Sequence, residues 1–433
     1  MMLRKTHVSF ALLSGLAVVV TLAPRRMIAR AQGSAAARAM PVFEPDPKWP
    51  QIPNNWAFGN VSEVTVDKHD HVWILQRPKS LPQNLKERAA PSVLEYDSDG
   101  RYLNGWGGEA SGYDWPLQPH GITVDYKDHV WITGAGYATI PSVVSDDMIL
   151  KFTNKGKFLM QIGGRTTNHG NADTKNLNRS AEVFVYPKTN EAFVADGYGN
   201  RRVIVFDAET GAYKRMWGAF GDKPEDGPQG LFGGGPVPGS AAPTGDPARG
   251  DARGGGAGAG RGRGPGPDEQ QIPVLDTEGR GGQQFSVPVH SVKVSNDGLV
   301  YVAARVDRRV QVTTTDGKYQ AQVFINRSGP ARQSAVGLAF SPDAQQRFLY
   351  VADFGNSRVV VLDRKKLEVL YQFGNRSANP GDFQGIHFLA TDSKGNLYTA
   401  EVAPGNRAQK FVFKGLSDTP PANALPQSKI SQN

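Results

Sequence analysis

Residues 120–131 read His120-Gly-Ile-Thr-Val-Asp-Tyr-Lys-Asp-His-Val-Trp131. A short β-branched strand, Ile122-Thr-Val-Asp125, runs into a polar turn and then into a second strand, Val130-Trp131, that carries an aromatic residue. The unit occurs six times. The other copies run Val64-Thr-Val-Asp67 to Val72-Trp73, Val183-Phe-Val-Tyr186 to Ala192-Phe193, Val292-Lys-Val-Ser295 to Val300-Tyr301, Leu338-Ala-Phe-Ser341 to Leu349-Tyr350, and Leu389-Ala-Thr-Asp392 to Leu397-Tyr398.

Several copies continue through a Gly/Asn/Arg turn into a third apolar strand, as in Gly199-Asn-Arg-Arg-Val-Ile-Val-Phe206 and Gly355-Asn-Ser-Arg-Val-Val-Val-Leu362, and into a fourth strand ending in aromatic-Gly, as at Trp106-Gly107 and Trp217-Gly218. Four short antiparallel strands repeated at blade-length intervals predict an all-β, six-bladed β-propeller over residues 43–415. Phe43–Ile52 is expected to supply a strand that closes the ring with the last blade.

One interval between copies is too long. Its excess, residues 222–284, is rich in Gly, Pro, Ala and Arg and has no aromatic from Gly233 to Gln284, so it is expected to be a disordered insertion on one propeller face. Residues 32–42 and 416–433 are expected to be flexible termini. At the start, Arg4 and Lys5 precede an uncharged apolar run from Val8 to Ala23, followed by Ala29-Arg-Ala31. That order predicts a cleaved export signal over residues 1–31 in preference to a membrane anchor, for which the run is short.

The 433 residues contain no cysteine, which excludes a disulfide framework, a thiolate metal site and a Cys nucleophile. The formal net charge is +8, and Arg4, Lys5, Arg25, Arg26 and Arg30 account for five of the positive charges, leaving +3 after signal cleavage. Interspersed signs at that weak excess argue against nucleic acid as a partner. No second apolar stretch is long enough to span a bilayer, so a monomeric periplasmic or secreted product without membrane association is expected.

Three of the eight histidines stand in one register. His120, His290 and His387 each precede the first strand of a unit, and each lies eleven residues before the second-strand aromatic, Trp131, Tyr301 or Tyr398. The first strand of a blade is innermost, so the three imidazoles converge from blades two, four and six; in blades one, three and five Ser62, Glu182 and approximately Gly337 are expected at that place. Three converging neutral imidazoles suit Zn²⁺ or another divalent ion with a position left for water or substrate. A single such His would more often cap a strand; the threefold placement favours metal. His69, His71, His129 and His169 fall in turns and are expected to be solvated. Arg77 and Arg305 each follow the second-strand aromatic by four residues, and Tyr198 takes nearly the same place in blade three. Arg can hold a carboxylate in a bidentate grip, and Tyr beside a metal can act as acid or base.

On Pro119-His-Gly-Ile-Thr-Val-Asp125, Ala195-Asp-Gly-Tyr-Gly-Asn-Arg-Arg-Val203 and Phe285-Ser-Val-Pro-Val-His-Ser291, with Arg305 downstream, the chain resembles peptidyl-α-hydroxyglycine α-amidating lyase, the NHL-repeat propeller half of peptidylglycine α-amidating monooxygenase. The resemblance implies a catalytic zinc on His120, His290 and His387, with Arg77, Tyr198 and Arg305 acting on a small-molecule or peptide C-terminal substrate. The reaction it implies is cleavage of an α-hydroxyglycine C–N bond to an amide and glyoxylate. The family also pairs its third histidine with an Asp that helps bind a structural calcium; Phe388 follows His387 here, and the resemblance does not extend to that ion. The family's disulfides have no counterpart, and no stretch of the 433 residues resembles its copper monooxygenase domain.

Two rival readings follow from the same strands. A non-catalytic NHL-type scaffold would bind a peptide, glycan or protein across one face and would have no use for three in-register histidines. A propeller lactonase or streptogramin lyase would also place a metal at the channel mouth, the former through acidic and amide ligands, for which this register offers only Glu182.

Overall fold

The computed structural model describes residues 39–138, 143–226, 279–329, 331 and 333–425. The expected export signal, 1–31, lies outside them, as does the interior of the expected insertion, 227–278.

Six antiparallel sheets follow one another along the chain. Blade one is built from Asn60–Val66, Val72–Arg77, Val93–Tyr96 and Tyr102–Trp106, and blade two from Pro119–Val124, His129–Gly134, Val144–Thr153 and Phe158–Arg165. Blade three comprises Glu182–Tyr186, Glu191–Asp196, Arg202–Asp207 and Tyr213–Trp217; blade four Val289–Val294, Leu299–Ala304, Arg309–Thr314 and Tyr319–Phe324. Blade five runs Gly337–Phe340, Phe348–Asp353, Arg358–Asp363 and Glu368–Phe373. Blade six takes three strands from the end of the chain, Ile386–Thr391, Leu397–Glu401 and Arg407–Ser417, and its outermost strand, Met40–Asp46, from the beginning. Each innermost strand touches those of both neighbouring blades, which closes the ring into a six-bladed β-propeller.

The turn chemistry of the repeated unit is visible in its hydrogen bonds. Asp67 accepts the backbone N–H groups of His69 and His71 and the indole Nε1–H of Trp73. Asp125 does the same for Lys127, His129 and Trp131, and Asp392 for Lys394, Asn396 and the Tyr398 hydroxyl. An Asp six residues before an aromatic with a polar hydrogen therefore ties turn and second strand together. This corrects the expectation for two histidines: His71 and His129 are half-buried and bonded within these clusters, His71 to Glu95 at 2.8 Å and His129 to Asp125 at 3.3 Å. His69 and His169 are exposed, as expected.

Apolar side chains gather in six clusters, one between each pair of adjacent blades. Trp73, Leu75 and Val93 of blade one, for example, meet Ile122, Ile132 and Met148 of blade two. Each large side chain buried there is worth about 1.5–3 kcal/mol, so stability resides between blades and the axis is left to polar residues.

The blade boundaries extend further than the sequence predicted. The closing strand begins at Met40, not Phe43, and pairs Met40 with Ser417, while the Tyr371 hydroxyl donates to the Pro41 carbonyl. At the other end Leu416 and Ser417 continue the blade-six strand, and Ala424 bridges to Phe373 while Leu425 N donates to Gln372 O, so residues 424–425 reach blade five. Both rims of the insertion are also held: Asn171 donates to Asp226, and Arg309 and Arg327 donate to the carbonyls of Arg280, Gly282 and Gly279. Among the described residues no helix is long and apolar enough to cross a membrane.

Blade three contains a charge pair with no solvent contact. Arg202 donates to Asp196 at 2.8 Å and to the carbonyls of Asn171, Asp173 and Asn176, and both side chains are fully buried. Arg202→Met leaves the Asp196 carboxylate buried without its cation, and urea unfolding should show a loss of about 3–5 kcal/mol. A loss under about 1 kcal/mol would mean the pair contributes no more than a surface one.

Candidate metal centre

The three in-register histidines meet. His120, His290 and His387 lie on the innermost strands of blades two, four and six, are all buried, and have ring centroids 4.7–5.1 Å apart. Their candidate ligand atoms lie within 4.8 Å of one another. The local cause is a register shift at each of them: strand pairing jumps between Pro119 and Ile122, between Val289 and Ser291, and between Ile386 and Phe388. A bulge re-aims the unpaired side chain, here toward the axis.

Each imidazole is oriented by the next blade. Nδ1 of His120 lies 2.9 Å from Ala181 O, Nδ1 of His290 2.7 Å from Val336 O, and Nδ1 of His387 2.7 Å from Ser62 O. A carbonyl only accepts, so each Nδ1 carries the proton and each Nε2 presents a lone pair inward. These contacts correct the expected register of the odd blades. Ser62 stands as predicted, but Ala181 and Val336, not Glu182 and Gly337, are its equivalents. Burial is the main cause holding all three histidines well below the ordinary imidazole pKa, helped at His120 by His387 and Arg77, at His290 by His387 and His120, and at His387 by Arg305.

Tyr198 completes the cluster. Its hydroxyl lies 2.9 Å from His120 Nε2 and 3.1 Å from His290 Nε2, and it accepts from Arg305 Nη1 at 3.3 Å. Gly197 and Gly199 permit this position, because a Cβ on either would stand 1.9 Å from Val289 O or from Asn178 Oδ1. Arg305 is buried with its guanidinium 4.6 Å from the Phe354 ring, and burial, opposed by Tyr198, pulls its pKa down. Arg77 is half-buried and donates through Nε to the carbonyl of Pro119, the residue before His120. All six residues singled out in the sequence thus fall at one place.

The donor set fits a divalent ion. One hydroxyl proton on Tyr198 faces two bare Nε2 atoms, so at least one inward lone pair is left without a protein donor from it, and a cation among the three nitrogens answers that. Neutral imidazoles in this number suit zinc.

Sequence reasoning missed Arg179. It is buried with a left-handed φ of +58°, its carbonyl accepts Tyr198 N, and its Nη2 donates to Tyr198 O at 2.7 Å, so it clamps the tyrosine backbone from both sides. It precedes the repeated strand and has no in-register partner, which is why no pattern marked it.

Fold and site together define a class: a six-bladed β-propeller with a three-histidine centre on its axis. No family model matches the chain. In sequence it is similar to NHL repeat-containing protein 3 of Homo sapiens, 22% identical over 382 residues that cover 86% of this chain and 84% of that protein. It is also similar to peptidyl-alpha-hydroxyglycine alpha-amidating lyase 2 of Drosophila melanogaster, 26% identical over 179 residues, 37% of this chain and 40% of that protein. A third similarity is to peptidyl-glycine alpha-amidating monooxygenase A of Xenopus laevis, 26% identical over 193 residues, 41% of this chain but only 18% of that protein's length.

The depressed histidines give the metal-free protein a definite pH response. Below about pH 6.5 the unfolded chain takes up protons at these side chains while the folded state does not, so their contribution is present above that pH and is lost on acidification. Urea unfolding of the metal-free protein should therefore fall off with decreasing pH more steeply than that of a His120→Gln/His290→Gln/His387→Gln variant, by up to about 4 kcal/mol per pH unit. Parallel slopes would show that the histidines titrate normally.

Proposed function

We propose that the chain is an exported, metal-dependent carbon–nitrogen lyase that acts on an α-hydroxyglycine-type substrate, releasing an amide and glyoxylate. The observation that carries this reading is the Tyr198 hydroxyl set between two of three inward-facing Nε2 atoms and next to a buried arginine. The partial similarity to amidating lyases supports the substrate class.

His120, His290 and His387 would hold the ion, which when bound supplies Lewis acidity toward a substrate oxygen. Arg305 and Arg77 supply the positive charge that a substrate carboxylate needs in a site screened from water. Tyr198, once it has given up its own hydroxyl proton, would take the proton from the substrate hydroxyl and return it to the leaving nitrogen. As that O–H bond breaks, the oxygen becomes the aldehyde carbonyl of glyoxylate, the C–N bond electrons pass to nitrogen, and the nitrogen acquires a proton to leave as the amide. No outside oxidant or water is consumed. Arg179 holds the tyrosine backbone in position.

A second reading has its own support. The similarity that covers most of the chain is to an NHL-repeat protein whose name states no activity, which favours a propeller that binds a peptide, glycan or protein.

An assay of glyoxylate release from an α-hydroxyglycine-terminated peptide separates the two. Release is expected to stop on chelation and return with zinc. Tyr198→Phe should retain its metal and lose about 10²–10⁴ in kcat, Arg305→Met should chiefly raise KM, and His387→Ala should lose most of its metal while remaining folded. Stoichiometric metal without release would discard the lyase reading, and an unaltered kcat in Tyr198→Phe would discard the assigned base.

A further inference from the structure

Next to the histidines, the axis carries charges that the proposed reaction does not use. One residue beyond Ser62, Ala181 and Val336, the odd blades present Glu63, Glu182 and Gly337. Opposite them, directly after each histidine, the even blades present Gly121, Ser291 and Phe388. Glu63 accepts from Ile122 N at 2.7 Å and ties blade one to blade two. Glu182 accepts from Ser291 Oγ at 2.6 Å and Val292 N at 2.7 Å and ties blade three to blade four. In the third slot an acid cannot stand: a Cβ at Gly337 would lie 2.7 Å from His387 O and 2.8 Å from Phe388 Cα, and the Phe388 ring packs at 5.1 Å on His290.

Both glutamates are fully buried; burial, and then Glu182 beside it, pushes the Glu63 carboxyl well above the ordinary carboxylate range, so Glu182 is the carboxylate that needs a compensating charge. Lys293 supplies it, with Nζ 2.5 Å from Glu182 Oε1 and its side chain largely buried. Burial works against the ammonium, yet Glu182 and Glu63 outweigh it and hold Lys293 above the ordinary lysine range. The calcium of the resembling family does not fit this arrangement: Phe388 stands where that family has its aspartate, and the Lys293 ammonium already stands beside Glu182.

We infer that the Lys293 ammonium is the built-in structural cation of the axial channel, that it makes closure of the ring independent of calcium, and that its removal turns Glu63 and Glu182 into a divalent-cation site. The inference rests on the channel and stands apart from the lyase reading.

The test is thermal unfolding of the full-length, zinc-loaded protein in calcium-free buffer and again with millimolar calcium. The parent protein is expected to melt at the same temperature in both. Lys293→Met should melt about 10 °C lower without calcium and recover at least half of that with it, or, if it is insoluble without calcium, should refold when calcium is supplied. The double variant Lys293→Met/Glu182→Gln should regain stability relative to the single one and respond less to calcium. A calcium-dependent melt in the parent protein would overturn the inference. So would a Lys293→Met protein that calcium leaves unchanged, or a double variant no more stable than the single one.

Discussion

The structure turns on a backbone carbonyl meeting an imidazole across a blade boundary. His120, His290 and His387 each give their Nδ1 proton to the neighbouring blade, at Ala181, Val336 and Ser62. That commitment fixes ring orientation and tautomer together and leaves three Nε2 lone pairs facing one another. Because His387 reaches Ser62, its bond joins blade six to blade one, so the site is complete only when the ring is closed. Closure in turn depends on Met40–Asp46 pairing with Arg407–Ser417. The convergence of the three Nε2 atoms therefore depends on ring closure.

The axis gathers polar groups from all around the ring. Between blades six apolar clusters pack, whereas along the axis stand three neutral imidazoles, two glutamate side chains and an ammonium, with Arg305 and Tyr198 adjoining. A buried polar or charged group is costly unless it has a partner, and these glutamates find theirs on a different blade: Glu63 at Ile122 N, Glu182 at Ser291, Val292 and Lys293. The polar centre in this way selects one arrangement of blades, while the six apolar clusters supply most of the stability.

Much of this was legible in the sequence because repetition converts local pattern into position. The Asp-to-aromatic spacing of six has a hydrogen-bond cause at Trp73, Trp131 and Tyr398, and the eleven-residue interval from histidine to aromatic carried His120, His290 and His387 to one point. Of the register mates Arg77 and Arg305, Arg77 ends the second strand of blade one and Arg305 directly follows that of blade four. What was not legible lay outside the repeat. Glu182 stands one position past the histidine register, because the pairing of Val183 with Val194 gives the histidine-equivalent place to Ala181. Arg179 stands in a connecting segment, and its role comes from a left-handed backbone and two bonds to Tyr198 that no pattern announces. The closing strand begins three residues early because its partner, Arg407–Ser417, is longer than the other third strands.

Zinc-edge X-ray absorption of the purified protein tests the central claim most directly. The account predicts about one zinc per chain, bound by three imidazole nitrogens at about 2.0–2.1 Å with the remaining position taken by oxygen. A protein that copurifies with no stoichiometric metal and binds none when zinc is added would contradict it, as would a zinc whose ligands show fewer than three imidazoles.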